Sequence, residues 1–294
     1  NGLTTVDDAG IDKKTIQVID SLQEIGELKI RVYAMISNTN DNLNYYLTNG
    51  IIEKEKLTVR SVKAYLDGAL GSRGALLKNP YSDENKNKGL TITSKEELFD
   101  LANKLSSKGF QLNTHAIGDK ANEIVLDVYN YILKDIEDPR WRVEHAQVVD
   151  EFDIQKFNSK IIPSVQPTHA TSDMNWAYER LGSKRLISAY AYKELLDWSG
   201  KIALGTDFPV EKVNPLLTFH SAVARKDVDG NPSEGFLKEN ALTRKEALKG
   251  MTIWAAYSNF EDSFKGSIEE GKFADFVILT KDIMKVPEQE ITSA

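Results

Sequence analysis

The sequence predicts an α/β protein built on parallel strands, and three observations lead to this prediction. Short runs rich in apolar and β-branched residues alternate with segments of helical periodicity, as when crossover helices join parallel strands. Runs such as IIPSV and IALG are almost entirely apolar, which is typical of strands covered on both faces. Polar residues that cap helices precede several helical segments. These patterns fit an open sheet and a closed barrel equally well.

Seven strands are predicted from the apolar runs, and each is bounded by polar or turn-forming residues. No internal repeat interrupts their succession, and the later run ADFVILT is expected to be a strand of a separate small sheet. The predicted strands are Leu3–Asp7, Leu28–Ile36, Thr58–Leu66, Phe110–His115, Trp141–Ala146, Ile161–Gln166 and Lys201–Thr206.

Helix starts are marked by capping residues. Asp12 precedes the periodic segment Lys13–Ile25 and can accept a hydrogen bond from the free amides of its first turn. Two later segments begin with a reciprocal Ser/Thr-x-x-Glu capping box, Ser94 with Glu97 and Thr243 with Glu246. Helices are therefore expected to begin at these positions.

The segment Asp67–Thr93 departs from this alternation. It contains four glycines and a polar run without helical periodicity. A connection of this length is either a functional loop beside an active site or a mobile surface insertion.

The composition excludes several classes of function. The 294 residues carry a formal net charge of -7 and no cluster of Lys and Arg, which argues against a nucleic-acid partner. No apolar run approaches the roughly 20 residues needed to span a bilayer, so no membrane partner is predicted. Cysteine is absent, which leaves His, Asp, Glu and Lys as possible metal ligands. We expect a soluble protein in a compartment that the sequence leaves open, because a targeting segment would not be visible here.

Polar side chains follow several predicted strands at the point where each strand ends. His115, His145 and Asp207 each close or directly follow an apolar run, and His169 follows the run before it by a few residues. The carboxyl ends of parallel strands share one edge, where functional groups collect. On the strand Thr58–Leu66, alternation places Lys63 on the inner face.

Each of these residues also has a structural interpretation. A histidine at a strand end is commonly a hydrogen-bonded, partly buried side chain, and Asp207 before Phe-Pro could be a turn residue. Lys63 would face outward after a small error in register. The convergence of two imidazoles, a carboxylate and an inward lysine instead favours a site for a divalent metal.

Six motifs, in order and over nearly the whole chain, carry a resemblance to a known family. The sequence resembles the YtcJ-like branch of the metal-dependent amidohydrolase superfamily, amidohydrolase family 3. The resemblance implies a TIM (β/α)₈-type barrel over residues 1–260 and part of a small β-sandwich, with a tail, over residues 261–294. The motifs are KAYLDGALGSRGA, THAIGDKAN, RVEHAQVVD, SVQPTHATSD, LGTDFPVEKVNPL and GSIEEGKFADFVIL.

The resemblance also assigns roles to individual residues. His115, His145 and Asp207 would bind metal, and Asp207 would also take a proton from the attacking water. Lys63 matches the position of a carboxylated lysine that bridges two ions in some members. The residues that would meet substrate are His169, Gln166, Asp67, Gly71 and Arg73.

The sequence departs from the family pattern in one respect. That pattern begins with a His-x-His pair on the first barrel strand, and no such pair occurs here. The resemblance therefore implies seven recognisable barrel strands with the first absent, an edge that a homodimer could cover, and one or two divalent ions in the complete protein.

The expected function is metal-dependent hydrolysis of an amide-type C–N bond in a small molecule of the N-acyl or N-formyl amine class. Zinc suits the ligand types, and manganese or iron would fit the same set. The alternative is a non-catalytic or truncated barrel with a binding or regulatory role.

Overall fold

Seven parallel strands and one short antiparallel strand form a single curled sheet in the computed structural model, which describes residues 1–294. The parallel strands follow each other across the sheet in chain order, as crossover connections between neighbouring strands produce. The eight strands are β1 (Thr5–Ile11), β2 (Arg31–Ser37), β3 (Ile52–Glu53), β4 (Leu57–Tyr65), β5 (Gln111–Ala116), β6 (Trp141–His145), β7 (Ile161–Val165) and β8 (Ala203–Leu204).

Ten α-helices accompany the sheet, most of them in the connections between strands. No helix of the structure combines the length and the apolar character that crossing a membrane would require. The helices are α1 (Lys13–Glu24), α2 (Asn40–Asn49), α3 (Lys95–Ser106), α4 (Asp119–Ile132), α5 (Pro167–Asp173), α6 (Ala177–Leu186), α7 (Tyr192–Ser199), α8 (Pro215–Ala224), α9 (Arg244–Met251) and α10 (Ile253–Ser258).

The predicted helix caps are confirmed. Asp12 accepts a hydrogen bond from the Thr15 amide at 2.7 Å. Ser94 and Thr243 each form the complete reciprocal capping box with the glutamate three residues later. These bonds pair the free amides of the first turn, which explains why the helices begin there.

The two faces of the sheet differ in chemistry. On β5, Leu112 and Ala116 belong to the continuous apolar core, which also includes α3 residues such as Leu101. The alternating residues Asn113 and His115 point to the opposite, inner face. One face of the strand thus packs against the apolar layer beneath the helices, and the other face lines a polar interior.

Hydrogen bonds between side chains cross this polar interior, and Arg142, Tyr33 and Gln111 are buried in it. Arg142 of β6 donates to Asp7 of β1 at 2.7 Å, and the Asn259 amide nitrogen donates to the other oxygen of Asp7, also at 2.7 Å. The Tyr33 hydroxyl of β2 donates to Gln111 of β5 at 2.9 Å. Partners of this kind satisfy groups whose burial would otherwise be costly. They connect strands on both sides of β4.

The predicted strands are confirmed in number and position, and their ends differ by a few residues. The first extends to Ile11 instead of Asp7, and β8 contains only two of the six residues predicted. A short antiparallel strand, β3, pairs with the start of β4 and was not predicted, because two residues carry no readable alternation. The sheet path ends at β1 and β8, so the implied closed barrel is present here as a curled sheet.

The predicted strand at ADFVILT is wrong. Residues 274–280 form no strand and take part in none of the backbone hydrogen bonds found outside helices and strands. Phe276, Val277 and Ile278 are exposed. An apolar alternating run becomes a strand only when another strand pairs with it, and no strand pairs with this run. The implied β-sandwich remnant therefore has no counterpart in the secondary structure.

The long segment Asp67–Thr93 packs against the sheet rather than extending into solvent. Leu70, Leu77 and Tyr81 are each 1% exposed. Its backbone contacts the start of α4, where the amides of Lys120 and Ala121 both donate to the Leu76 carbonyl. This burial favours a built loop beside the strand ends over a mobile insertion.

Candidate metal centre

The predicted polar residues gather at the carboxyl ends of the parallel strands. His115 lies near the end of β5, His145 is the last residue of β6, and Asp207 follows β8 by three residues. His169 lies on α5, which begins immediately after β7. The strand order therefore places four residues that are far apart in sequence at one edge of the sheet.

Three of these residues form a group that could hold one ion. His145, His169 and Asp207 each offer a ligand atom within 4.8 Å of the others. The Nε2 atom of His169 lies 3.7 Å from Oδ2 of Asp207 and is buried without a hydrogen-bond partner. Two imidazoles and a carboxylate are ligands that divalent zinc accepts. The orphaned buried nitrogen and this donor set fit a metal ion.

His145 is held so that one nitrogen remains available. Its Nδ1 atom lies 2.7 Å from the amide oxygen of Gln166, which can only accept, so the proton is on Nδ1. This hydrogen bond leaves Nε2 with its lone pair free. Gln166, predicted to meet substrate, here orients a candidate ligand; contact with substrate stays a prediction.

Burial keeps the imidazoles neutral. It lowers the pKa of His145 well below the usual histidine range, with the nearby His115, Lys63 and His169 adding to the effect. Burial is the larger cause that lowers the pKa of His169 to about 4, and the nearby His115 is the smaller one. Neutral imidazole is the form that binds a metal. The site is therefore ready to accept a cation at neutral pH.

His115 lies beside this group but faces a different residue, Asp67. Its ring centroid is 4.6 Å from that of His145. Its Nε2 atom is 3.4 Å from Oδ1 of Asp67 and makes no hydrogen bond in this arrangement. His115 is not one of the three residues whose ligand atoms converge. Its role as a metal ligand remains a prediction.

Lys63 points into the polar interior, as predicted from the alternation on β4. It is 5% exposed, and its Nζ atom lies 5.2 Å from the centroid of the Tyr65 ring. Burial lowers the pKa of Lys63, and the carboxylates of Glu144 and Asp207 oppose this effect. A lysine with this environment would suit the bridging role, which stays a prediction, as does its carboxylation.

Glu144 was missed in the sequence analysis. It lies on β6 directly before His145, is 5% exposed, and its Oε1 atom has no hydrogen-bond partner. The signal was available, because alternation along WRVEH puts Arg142 and Glu144 on the same inner face. Its charge acts on both Lys63 and Asp207.

Backbone strain is concentrated at the same place. His145, Ala146 and Asp207 adopt positive φ values of 75°, 41° and 56°. Such conformations cost about 1–3 kcal/mol for residues with a side chain and persist where the surroundings enforce them. His145 and Asp207, two of the three residues that could hold the ion, thus have backbone conformations that the surrounding packing maintains.

Three residues of the long loop were predicted to meet substrate. Asp67 is fully buried and accepts hydrogen bonds from backbone amides. Arg73 forms an ion pair with Asp83 at 2.8 Å, and the Gly71 carbonyl accepts a hydrogen bond from Arg180. These contacts are all internal, and a role in substrate binding stays a prediction for each residue.

Burial also affects the candidate proton acceptor. It raises the pKa of Asp207 above the ordinary aspartate value, while the nearby Lys63 lowers it. A carboxylate with a raised pKa both accepts and returns protons more readily near neutral pH, and this property is consistent with a hydrolytic site.

Comparisons with known proteins support the same chemistry. The model of the amidohydrolase family matches residues 1–294. The chain is 36% identical over 224 residues to YtcJ of Bacillus subtilis strain 168, which is named as an amidohydrolase. The matched residues make up 76% of this chain and 42% of YtcJ. It is 26% identical over 291 residues to an N-substituted formamide deformylase of Arthrobacter pascens, covering 96% of this chain and 53% of that protein.

A solved structure resembles the whole fold. The crystal structure of an uncharacterized metal-dependent hydrolase from Pyrococcus furiosus matches with a TM-score of 0.85 and 29% sequence identity, over 96% of this chain and 57% of that one. The chain thus spans about half the length of the proteins it matches.

Proposed function

The chain belongs to the amidohydrolase family, and on this basis we propose that it hydrolyses an amide-type C–N bond with the help of a divalent metal. The substrate class proposed is an N-formyl or N-acyl amine, which a relative named as an N-substituted formamide deformylase supports by analogy. The curled sheet is proposed to be the greater part of a (β/α)₈ barrel. The observation that supports this proposal most directly is the convergence of His145, His169 and Asp207 at the strand ends.

Zinc is the proposed ion, held by His145, His169 and Asp207, with His115 and Lys63 close enough to complete or extend the site. When bound, such an ion lowers the pKa of water to about 7 and polarises a carbonyl oxygen. Three protein ligands leave a position open for substrate, as catalytic zinc sites require.

The chain's own residues would then handle the protons. Asp207 is placed to accept a proton as water adds to the carbonyl carbon, and to deliver it to the leaving nitrogen as the C–N bond breaks. The products are a carboxylate and an amine. Burial favours this exchange, because it raises the pKa of Asp207. His145 and His169 remain neutral throughout, so neither competes for the proton.

Lys63 and Glu144 would determine the electrostatic environment of Asp207. In its uncarboxylated, protonated form, Lys63 would stabilise negative charge near Asp207, and Glu144 would balance the charge of that ammonium group. The balance would keep the interior close to neutral before substrate arrives.

A direct test uses the purified chain loaded with zinc and a panel of N-formyl and N-acetyl amines. Formate or acetate release and the free amine are both quantified, since hydrolysis must yield them in equal amounts. The proposal expects turnover by the wild-type chain and a loss of at least about 100-fold in Asp207→Asn. Equal rates in the wild type and this variant would refute the role of Asp207.

A further inference from the structure

A single buried carboxylate connects the long loop to the candidate metal centre. Asp67 is the second residue after the end of β4, and it is 0% exposed. Its Oδ2 atom accepts hydrogen bonds from the amides of Leu76 and Gly118, both at 2.8 Å. Its Oδ1 atom accepts one from the Ile117 amide at 3.0 Å. Three backbone donors therefore fix both oxygens.

The same carboxylate faces an imidazole. Oδ1 of Asp67 lies 3.4 Å from Nε2 of His115, at the distance of a loose contact that a small rotation of the ring would convert into a hydrogen bond. Histidines that bind metals commonly donate their other ring nitrogen to a carboxylate, which fixes the tautomer and the ring orientation. With Nε2 directed to Asp67, Nδ1 of His115 is the nitrogen left for another partner.

The loop and the turn that follows β5 are packed as one unit around this carboxylate. A Cβ atom on Gly118 would lie 2.0 Å from the Leu76 carbonyl oxygen, so the two backbones are in direct contact. Asp119 adds a further connection, since it accepts a hydrogen bond from the Lys78 amide at 2.8 Å. His115 lies only three residues before this turn.

We propose that Asp67 is a positioning residue, whose carboxylate aligns His115 for metal binding and couples that alignment to the packing of the loop 67–93. The proposal rests on the proposed function, because it requires a metal at this site. It gives Asp67 a role within the protein rather than at the substrate. A change at Asp67 should therefore act on metal binding through His115.

The test measures zinc affinity by competition with a chromophoric chelator. Asp67→Asn should weaken zinc binding about 10- to 100-fold, as loss of a partner to a metal-binding histidine does. Asp119→Asn is the matched control, because it removes a buried carboxylate that does not face His115 and keeps an oxygen that can accept from the Lys78 amide, and it should change the affinity by less than about threefold.

A double-mutant cycle separates positioning from general damage. If Asp67 acts through His115, Asp67→Asn should change zinc affinity by less than about threefold when His115→Ala is already present. An equal loss of affinity in both backgrounds would overturn the proposal, as would an unchanged affinity in Asp67→Asn alone.

A measurement on the wild-type chain covers the case in which Asp67→Asn fails to fold. Zinc should slow hydrogen exchange at the amides of Leu76, Ile117 and Gly118, which donate to Asp67. Unchanged exchange at these amides in a chain that binds zinc overturns this inference and leaves the proposed function standing. A wild-type chain that binds no zinc overturns both.

Discussion

Gly118→Ala tests whether the long loop and the turn after β5 form one packed unit. The added Cβ atom would lie 2.0 Å from the Leu76 oxygen, 2.5 Å from its carbonyl carbon and 2.7 Å from its nitrogen. All three are backbone atoms that cannot rotate away. Because φ at Gly118 is not positive, lack of space is the relevant constraint.

The expected cost follows from these contacts. Normal contact needs about 3.5–4.0 Å, so the loop backbone must retreat by roughly 1.5 Å or more. Such overpacking typically costs about 1–3 kcal/mol. The hydrogen bonds from Lys120 and Ala121 to the Leu76 carbonyl would be stretched as well, at about 0.5–1.5 kcal/mol each. A loss of about 2–6 kcal/mol in the free energy of unfolding is expected.

Urea denaturation of the metal-free chain, followed by circular dichroism, measures this loss. Gly205→Ala is the control, since a Cβ atom at Gly205 meets nothing within 4 Å and φ there is not positive. That variant should lie within about 1 kcal/mol of the wild type. If Gly118→Ala is as stable as Gly205→Ala, the packed unit does not exist as described.

Three further predictions test other parts of the structure. Gln166→Leu removes the hydrogen-bond partner of His145 and should weaken zinc binding about 10- to 100-fold in a chelator competition; an unchanged affinity would contradict the orienting role. Burial raises the pKa of Asp173 from 3.8 to about 6, so its stabilising contribution is present below pH 3.8 and lost as pH rises through about 6. Relative to the wild type, Asp173→Asn should therefore gain up to about 3 kcal/mol in unfolding free energy between pH 4 and pH 8; a difference independent of pH would rule this out. Asp7→Ala removes the carboxylate that accepts from the buried guanidinium of Arg142, and should cost about 1.5–3 kcal/mol by urea denaturation, whereas a change below 0.5 kcal/mol would show that the pair contributes little.

Much of the fold was readable because local signals and burial agree. Strands such as Ile161–Val165 are apolar on both faces, and helices such as Lys95–Ser106 begin at complete capping boxes. The failures occurred where a partner decides the outcome. ADFVILT has the alternation of a strand but lacks a backbone to pair with. β8 ends after Leu204, shortly before the strained turn at Asp207.

The candidate site was readable in its members but not in its geometry. Strand ends identified His115, His145 and Asp207, because parallel strands share one edge. Sequence could not show that His169, one helix turn beyond its strand, would approach Asp207 more closely than a residue on a strand. Nor could it show that Asp67 and Gln166 would face histidine rings, since side-chain partners depend on tertiary packing.

The proposed metal centre requires that His145, His169 and Asp207 together hold one divalent ion. Anomalous diffraction at the zinc absorption edge, from crystals of the zinc-loaded chain, tests it most directly. We expect a peak about 2.0–2.2 Å from a nitrogen of each histidine and an oxygen of the carboxylate. A peak bound elsewhere, or none at this edge of the sheet, would contradict it.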